Sequence, residues 1–517
     1  MTTTPGKPAP TLVPGEIAGT GSHGLYHRLR QVPGEAHTVR TDFVPGPAPA
    51  AGNTVIATLA HLTDLHVVDP GSPARLDFAM RTGAGTASWA GLVDWVFRPQ
   101  EALAPHAAAA MIRTLAALDL DACVVTGDNI DNAQVNELAA YLALLDGGKV
   151  AVSPFGYHGP QALDWDDPWY WRPDPGDDRY KRLWGFPTHP GLLEAAAAPF
   201  TAGGLGHPWL ACLGNHDLLI GGTTAARPDL AAIATGPRKP VGLPDGPDLP
   251  DALGTFLTDP AALFTGPSRP VPALASRTFI TPADFVNAHR HPGARPAGHG
   301  FTAANHRDGT AHYAYDPVPG VRIVVLNTDN PHGHWDGSMD RAQLDWLAEQ
   351  LAADGPDDPL IVLASHHATS SLRNGYGVCP DQPGERAYAG EILRLALGCR
   401  NVVLWLNGHH HANRVVAHHR GDGGGLFEVT TAAIADWPVQ ARVLQIARER
   451  SGGLCITSTL VDHDAPVVPA AGQDTTDRLA ALHRELAYND AVRAGRTGAA
   501  GGAPDRNVRL RLPAPPR

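Results

Sequence analysis

Six short runs of β-branched and other apolar residues recur along the chain, each closed by a Gly, Asn, Asp or His: 54–62 (TVIATLAHL), 122–127 (ACVVTG), 209–214 (WLACLG), 322–327 (RIVVLN), 360–365 (LIVLAS) and 401–408 (NVVLWLNG). Each has the length of a strand buried on both faces. Helical patterns lie between several of them. The segment 101–118 is alanine-rich with apolar spacings of three and four, and 340–353 opens with Asp340, which can cap a first turn. Strands alternating with helices predict an α/β architecture.

The chain's 517 residues exceed what one compact core needs, so two domains or one domain with large insertions is expected. Two stretches break the strand rhythm, about 151–200 and 221–310, and because the rhythm resumes after each they read as insertions into a core domain spanning 51–465. Residues 1–50 read as an extended N-terminal arm, and 466–517 as one amphipathic helix followed by a disordered tail. Gly and Pro, 56 and 48 residues, supply the turns that such loop-rich insertions need. The tryptophans Trp165, Trp169, Trp171 and Trp184 read as the small core of the first insertion rather than as a platform for nucleobases.

The formal net charge is −12 and no run of Lys and Arg occurs, so the chain lacks the basic face that a nucleic-acid footprint requires. No stretch approaches the ~18 uninterrupted apolar residues of a membrane span, and the first twenty residues lack the pattern of a leader. The five cysteines are scattered without a CxxC pair; Cys123, Cys212 and Cys399 lie in or beside apolar runs and read as small buried hydrophobes. A reducing, cytoplasmic location with no membrane partner is the expectation.

Chemistry-bearing residues sit at or just past the ends of the apolar runs. They are Asp64 and His66 in TDLH, Asp128 and Asp131 in GDNID, Asn215, His216 and Asp217 in GNHD, His366 and His367 in SHH, and His409 and His411 in GHHH. Beyond the carboxyl ends of strands is where ligands collect in open α/β sheets. On an extended segment, Asp64 and His66 at i, i+2 point the same way and reach one ion, and His409 and His411 share that spacing. Asp128 has two oxygens and can bridge two ions. Carboxylates and imidazoles suit Zn, Mn, Fe or Co. With two divalent ions and one hydroxide, two carboxylates leave the cluster net positive, a centre that attracts an anionic oxyester despite the acidic chain around it.

The ordered blocks DxH, GDxxD, GNHD, a His segment and GHxH resemble those of the calcineurin-like metallophosphoesterase superfamily over roughly residues 54–465; LTDLHVVDPGSPAR and GDNIDNAQ resemble a bacterial subgroup of it. That resemblance implies a four-layer αββα sandwich of two mixed sheets. It implies that Asp64, His66 and His411 bind one transition-metal ion (Mn, Fe or Zn), that Asn215, His366 and His409 bind a second, and that Asp128 bridges them. His216 would stabilise the transition state or protonate the leaving oxygen, with Asp217 orienting its ring. The activity implied is hydrolysis of a phosphomonoester or phosphodiester of a small molecule, by in-line attack of a hydroxide bridging the metals. A non-catalytic metal-binding scaffold with the same fold is the alternative. The fourth block departs from H-x-P, so His367 competes with His366 as the ligand, and Asp131 stands where purple acid phosphatases carry a metal-binding Tyr. His410 should point away from the metals. Asn132 and Gln134, and the group Arg290, His291 and His299, are candidates for substrate contact, with an ordinary loop role as the alternative for each.

Overall fold

The computed structural model describes residues 8–46, 53–81, 96–162, 168–245, 249–353, 355, 357–377, 385–468, 475–490 and 498–513. The strands that matter here, in chain order, are β1 (Thr11–Thr20), β2 (Leu25–Val32), β3 (Thr38–Arg40), β4 (Thr54–Leu62), β5 (Ala122–Val125), β6 (Trp209–Ala211), β7 (Tyr313–Val318) and β8 (Val321–Val325). They continue with β9 (Leu360–Ala364), β10 (Val402–Asn407), β11 (Arg414–His419), β12 (Gly425–Thr430), β13 (Gln440–Arg448), β14 (Leu454–Asp462) and β15 (Val508–Leu512). The principal helices are α1 (Ala104–Ala116), α2 (Val135–Asp146), α3 (Arg341–Gln350), α4 (Ala389–Gly398) and α5 (Thr475–Asn489).

Two mixed sheets form. One has seven strands in the order β3-β15-β14-β13-β4-β5-β6, with β4, β5 and β6 parallel. The other has six in the order β7-β8-β9-β10-β12-β11, with β8, β9, β10 and β12 parallel. Period-two alternation decides what faces what. Ile323, Val325, Val362 and Ala364 join Leu59, Val124 and Leu210 in the central core, whereas Val324, Ile361 and Leu363 turn to the opposite face and meet Leu347 of α3 and Ile392 of α4. Met111 and Leu115 of α1 and Leu138 and Leu144 of α2 belong to the same contiguous apolar cluster as the seven-stranded sheet. Burying each such Val, Leu, Ile or Met side chain contributes about 1.5–3 kcal/mol. The result is a four-layer αββα sandwich, the fold that the resemblance implies.

All six expected strands form, and Asp340 caps α3 by accepting the Gln343 backbone N–H at 2.8 Å. The ends of the chain differ from expectation. Residues 11–32 make a β-hairpin rather than an extended arm, and Glu485 and Asn489 of α5 hold it through the Tyr26 hydroxyl and the His27 backbone. Nor is the tail disordered throughout, since β15 pairs with β14 and with β3 and completes the seven-stranded sheet. The core sheet therefore draws on residues outside 51–465. The physical reason is legible in VRLRL, where Val508, Leu510 and Leu512 alternate onto one buried face.

Among the described residues of 151–200 and 221–310, no strand enters either sheet. Trp171, Tyr170 and Tyr180 pack in a second core with Phe97, Leu230, Phe264 and three leucines of α5, and Trp169 and Trp184 lie against it. Trp165 and Cys379 fall outside the described residues. No helix among the described residues is long and apolar enough to cross a membrane.

Candidate metal centre

The loop after β4 runs alongside the loop after β5. Asp64 N–H donates to Gly127, His66 N–H to Asp128 and Val67 N–H to Asn129, so the parallel pairing of the strands continues past their ends. The expected extended geometry does not hold there. Asp64, His66 and Asp128 have φ of 52°, 45° and 48°, and His409 and His411 have 66° and 51°. These are left-handed conformations that cost an L-residue about 1–2 kcal/mol each. Convergence at i, i+2 is thus achieved by turning the backbone, not by strand alternation. Gly214 lets these loops approach closely, since a Cβ there would lie 2.3 Å from the Asp128 nitrogen.

The structure brings all seven candidate ligands together in two groups. In the first, His411 Nε2 lies 3.2 Å from Asp64 Oδ1 and 3.2 Å from His66 Nε2. His66 Nδ1 faces Asp131 Oδ1 at 3.0 Å, and His411 Nδ1 faces Asp436 Oδ2 at 2.5 Å. A carboxylate only accepts, so each Nδ1 carries the proton and each Nε2 presents a lone pair. Two imidazole lone pairs and a carboxylate oxygen therefore point at one another inside a buried site. In the second group His366 Nδ1 donates to the Thr126 carbonyl at 2.8 Å, and its Nε2 lies 3.0 Å from Asn215 Oδ1. The Asn215 amide is oriented because its Nδ2 donates to the Gly222 carbonyl at 2.8 Å. His409 stands beside them, its ring 5.1 Å from that of His366, while its backbone N–H reaches Asp64. Asp128 lies between the groups, with Oδ2 3.2 Å from His366 Nε2 and 3.7 Å from His66 Nε2, and Oδ1 accepts the His216 backbone N–H.

His367 is committed elsewhere. Its Nε2 faces the Trp335 carbonyl at 3.0 Å and its Nδ1 the Thr328 hydroxyl at 2.9 Å, although a donor nitrogen of its ring also lies within 4.8 Å of those of His366 and His409. His410 is exposed and meets Ser370 at 2.9 Å.

Burial works against charge throughout the site, yet the carboxylates still set its field. Burial lowers His66 to about 3, aided by Arg98 and His216, so the ring stays neutral. Burial also pulls His366 down, but Asp128, Asp64 and Asp329 outweigh it and push that ring up to about 10. Desolvation opposes ionisation of Asp64, and His411 and His366 nonetheless hold its carboxyl below the ordinary value. A neutral His66, ionised carboxylates and a field strong enough to draw a proton onto His366 make a site that favours cations, and carboxylate and imidazole donors fit transition metals.

No family model matches the chain. A cAMP/cGMP dual specificity phosphodiesterase from Mycobacterium tuberculosis (strain CDC 1551 / Oshkosh) is 48% identical over 50 residues, a match spanning 10% of this chain and 15% of that relative's length. A crystal structure of a dimetal phosphatase from Danio rerio aligns with a TM-score of 0.34 at 10% identity, over 79% of this chain and 100% of that one. The structure of PhoD aligns with a TM-score of 0.33 at 12% identity, over 91% of this chain and 83% of that one.

Asp217 does not orient the His216 ring as expected. Its carboxylate is fully buried and accepts the backbone N–H groups of Asn129, Ile130 and Gly214 together with the Asn129 amide. It shapes the loop that presents Asp128. Asp131 takes the orienting role instead, through its backbone carbonyl 2.7 Å from His216 Nδ1. Asn132 accepts from Gly221 N–H, and Gln134 meets Glu137, so both hold loops together. Asp131 and Asp436, the partners of the first group's histidines, are themselves gripped by buried arginines. Arg75 and Arg98 bind Asp131 at 2.7 and 3.3 Å, and Arg98 also reaches Asp436 at 3.2 Å. The spacing of Asp131 after Asp128 signalled the first of these carboxylates; nothing around Asp436 or Arg98 marks them in sequence.

Proposed function

We propose that the chain is a dinuclear metal-dependent hydrolase of phosphate esters. Asp64, His66 and His411 hold one ion, Asn215, His366 and His409 the other, and Asp128 serves both. The observation that carries this reading is the convergence of imidazole Nε2 lone pairs and carboxylate oxygens in one buried site, with Nδ1 of His66, His411 and His366 each committed to an acceptor behind the ring. That arrangement is how proteins aim histidines at a metal. Bound there, two divalent ions supply Lewis acidity toward a phosphoryl group and a water acidic enough to ionise near neutrality.

The chain's own residues supply the rest. His216, anchored at Nδ1 to the Asp131 carbonyl and stacked edge-on to His66 with ring centroids 4.6 Å apart, offers Nε2 to hold or deliver a proton at the leaving oxygen. The left-handed backbone at five candidate ligands keeps the side chains preorganised, so little rearrangement accompanies substrate binding. The substrate class is a phosphomonoester or phosphodiester of a small molecule, with manganese, iron or zinc as candidate ions. The activity named for the mycobacterial relative adds cAMP and cGMP to the compounds worth assaying.

The test is turnover of a chromogenic monoester, a chromogenic diester, cAMP and cGMP by chelator-treated protein reloaded with manganese, iron or zinc. Hydrolysis of at least one ester that vanishes with the chelator and returns with metal is expected. Protein that carries two ions per chain and turns over none of these esters would contradict the enzymatic reading and favour a scaffold.

A further inference from the structure

A second set of metal-type donors joins the insertion 221–310 to the end of α2. Asp146, the last residue of α2, places Oδ2 2.9 Å from His291 Nε2 and Oδ1 3.2 Å from His299 Nε2. The three donor groups approach within 4.8 Å of one another. The Trp209 indole N–H in β6 donates to Asp146 Oδ1 at 2.9 Å, which fixes the carboxylate's orientation. The His299 ring stacks on that indole, with centroids 3.6 Å apart and planes 22° apart.

His299 is the informative member. It is fully buried, its Nδ1 has no hydrogen-bond partner, and its Nε2 meets the Asp146 carboxylate at 3.2 Å. One carboxylate that meets the Nε2 atoms of two imidazoles gathers three metal-type donors at a single point. Two nitrogens and a carboxylate at these separations match donors sharing a zinc-type ion, whose neighbouring ligands lie about 3.3 Å apart when the bonds are about 2.0–2.1 Å. His291, 36% exposed at its side chain, leaves one side open for an ion to enter and for water to complete its coordination.

We infer that Asp146, His291 and His299 form a further divalent-metal site, suited to zinc or cobalt and separate from the candidate centre at Asp128. Its role is structural. The ion ties the segment 289–301 to the end of α2 and to β6, the strand that leads into the Asn215–Asp217 turn. Neither the location nor the donors depend on the hydrolase reading.

Metal counting on the full chain tests it. Protein stripped with a chelator, reloaded with zinc and freed of excess ion should hold one ion fewer per chain as His291→Ala or Asp146→Asn than as wild type. The difference of one is read whether or not the centre at Asp128 is filled. Cobalt gives a second readout that needs no change in the site. Titration should quench a component of tryptophan emission that Trp209→Phe lacks, because the stacked ring is a ligand. Equal metal counts in the wild type and both variants, retention of the extra ion only at millimolar zinc, or equal quenching with and without Trp209 would each overturn the site.

Discussion

The two halves of the candidate centre are built differently. Around Asp64, His66 and His411, two histidines are backed by buried carboxylates, Asp131 and Asp436, and Arg98 joins those carboxylates to each other. Around Asn215 and His366, the backing groups are neutral backbone carbonyls of Gly222 and Thr126. A carboxylate behind an imidazole raises its basicity and locks its orientation more firmly than a carbonyl does. The first half should therefore hold its ion more tightly, and a chelator should empty the second half first.

The largest effect is expected where the halves meet. Asp128→Ala should lose both ions and all metal-dependent turnover, measured by elemental analysis and ester hydrolysis, because a single oxygen of Asp128 faces both groups. His216→Ala should retain both ions while turnover of a substrate with a poor leaving group falls by ~10²–10⁴. An activated aryl ester, which needs no proton, should be affected far less.

Two further substitutions should separate the halves. Asp436→Asn should weaken one ion by ~10–100-fold and spare the other, since its carboxylate backs His411 alone among the candidate ligands. Gly222→Ala should strike the opposite half. Gly222 has φ of 63°, and a methyl there would lie 2.2 Å from His216 Cδ2 and 2.5 Å from Asn215 Nδ2, so Asn215 must shift and the second ion should be the one lost. The expected cost in stability is about 1–3 kcal/mol, read as a lowered midpoint of denaturant unfolding. At the small end, His410→Ala should change neither metal content nor turnover, because that exposed ring contacts Ser370 outside both groups.

Much of this centre was legible in the sequence because its ligands sit directly after strands, and buried strands announce themselves by continuous apolar runs. The same logic explains what was not. β13 carries Gln440, Arg442 and Gln445 among its apolar residues, and β11 and β15 carry His and Arg, so polar members, several of them buried, interrupt the apolar runs that mark the other strands. Choosing between His366 and His367 required three dimensions, since only the acceptors around each ring separate them. Asp217 misled for a related reason. Adjacency to His216 suggested contact, but the carboxylate turns back to cap the Asn129 and Ile130 amides of a loop that is distant in sequence. Arg98 and Asp436 lie hundreds of residues apart, and only folding makes them one network.

Anomalous scattering from crystals of the metal-loaded protein, collected at the manganese, iron and zinc edges, would locate the ions and their ligands. Two strong peaks are expected within bonding reach of the Asp128 carboxylate, one also contacting His66 and His411 and the other also contacting Asn215 and His366. A single peak, or metal bound at His367 in place of His366, would contradict it.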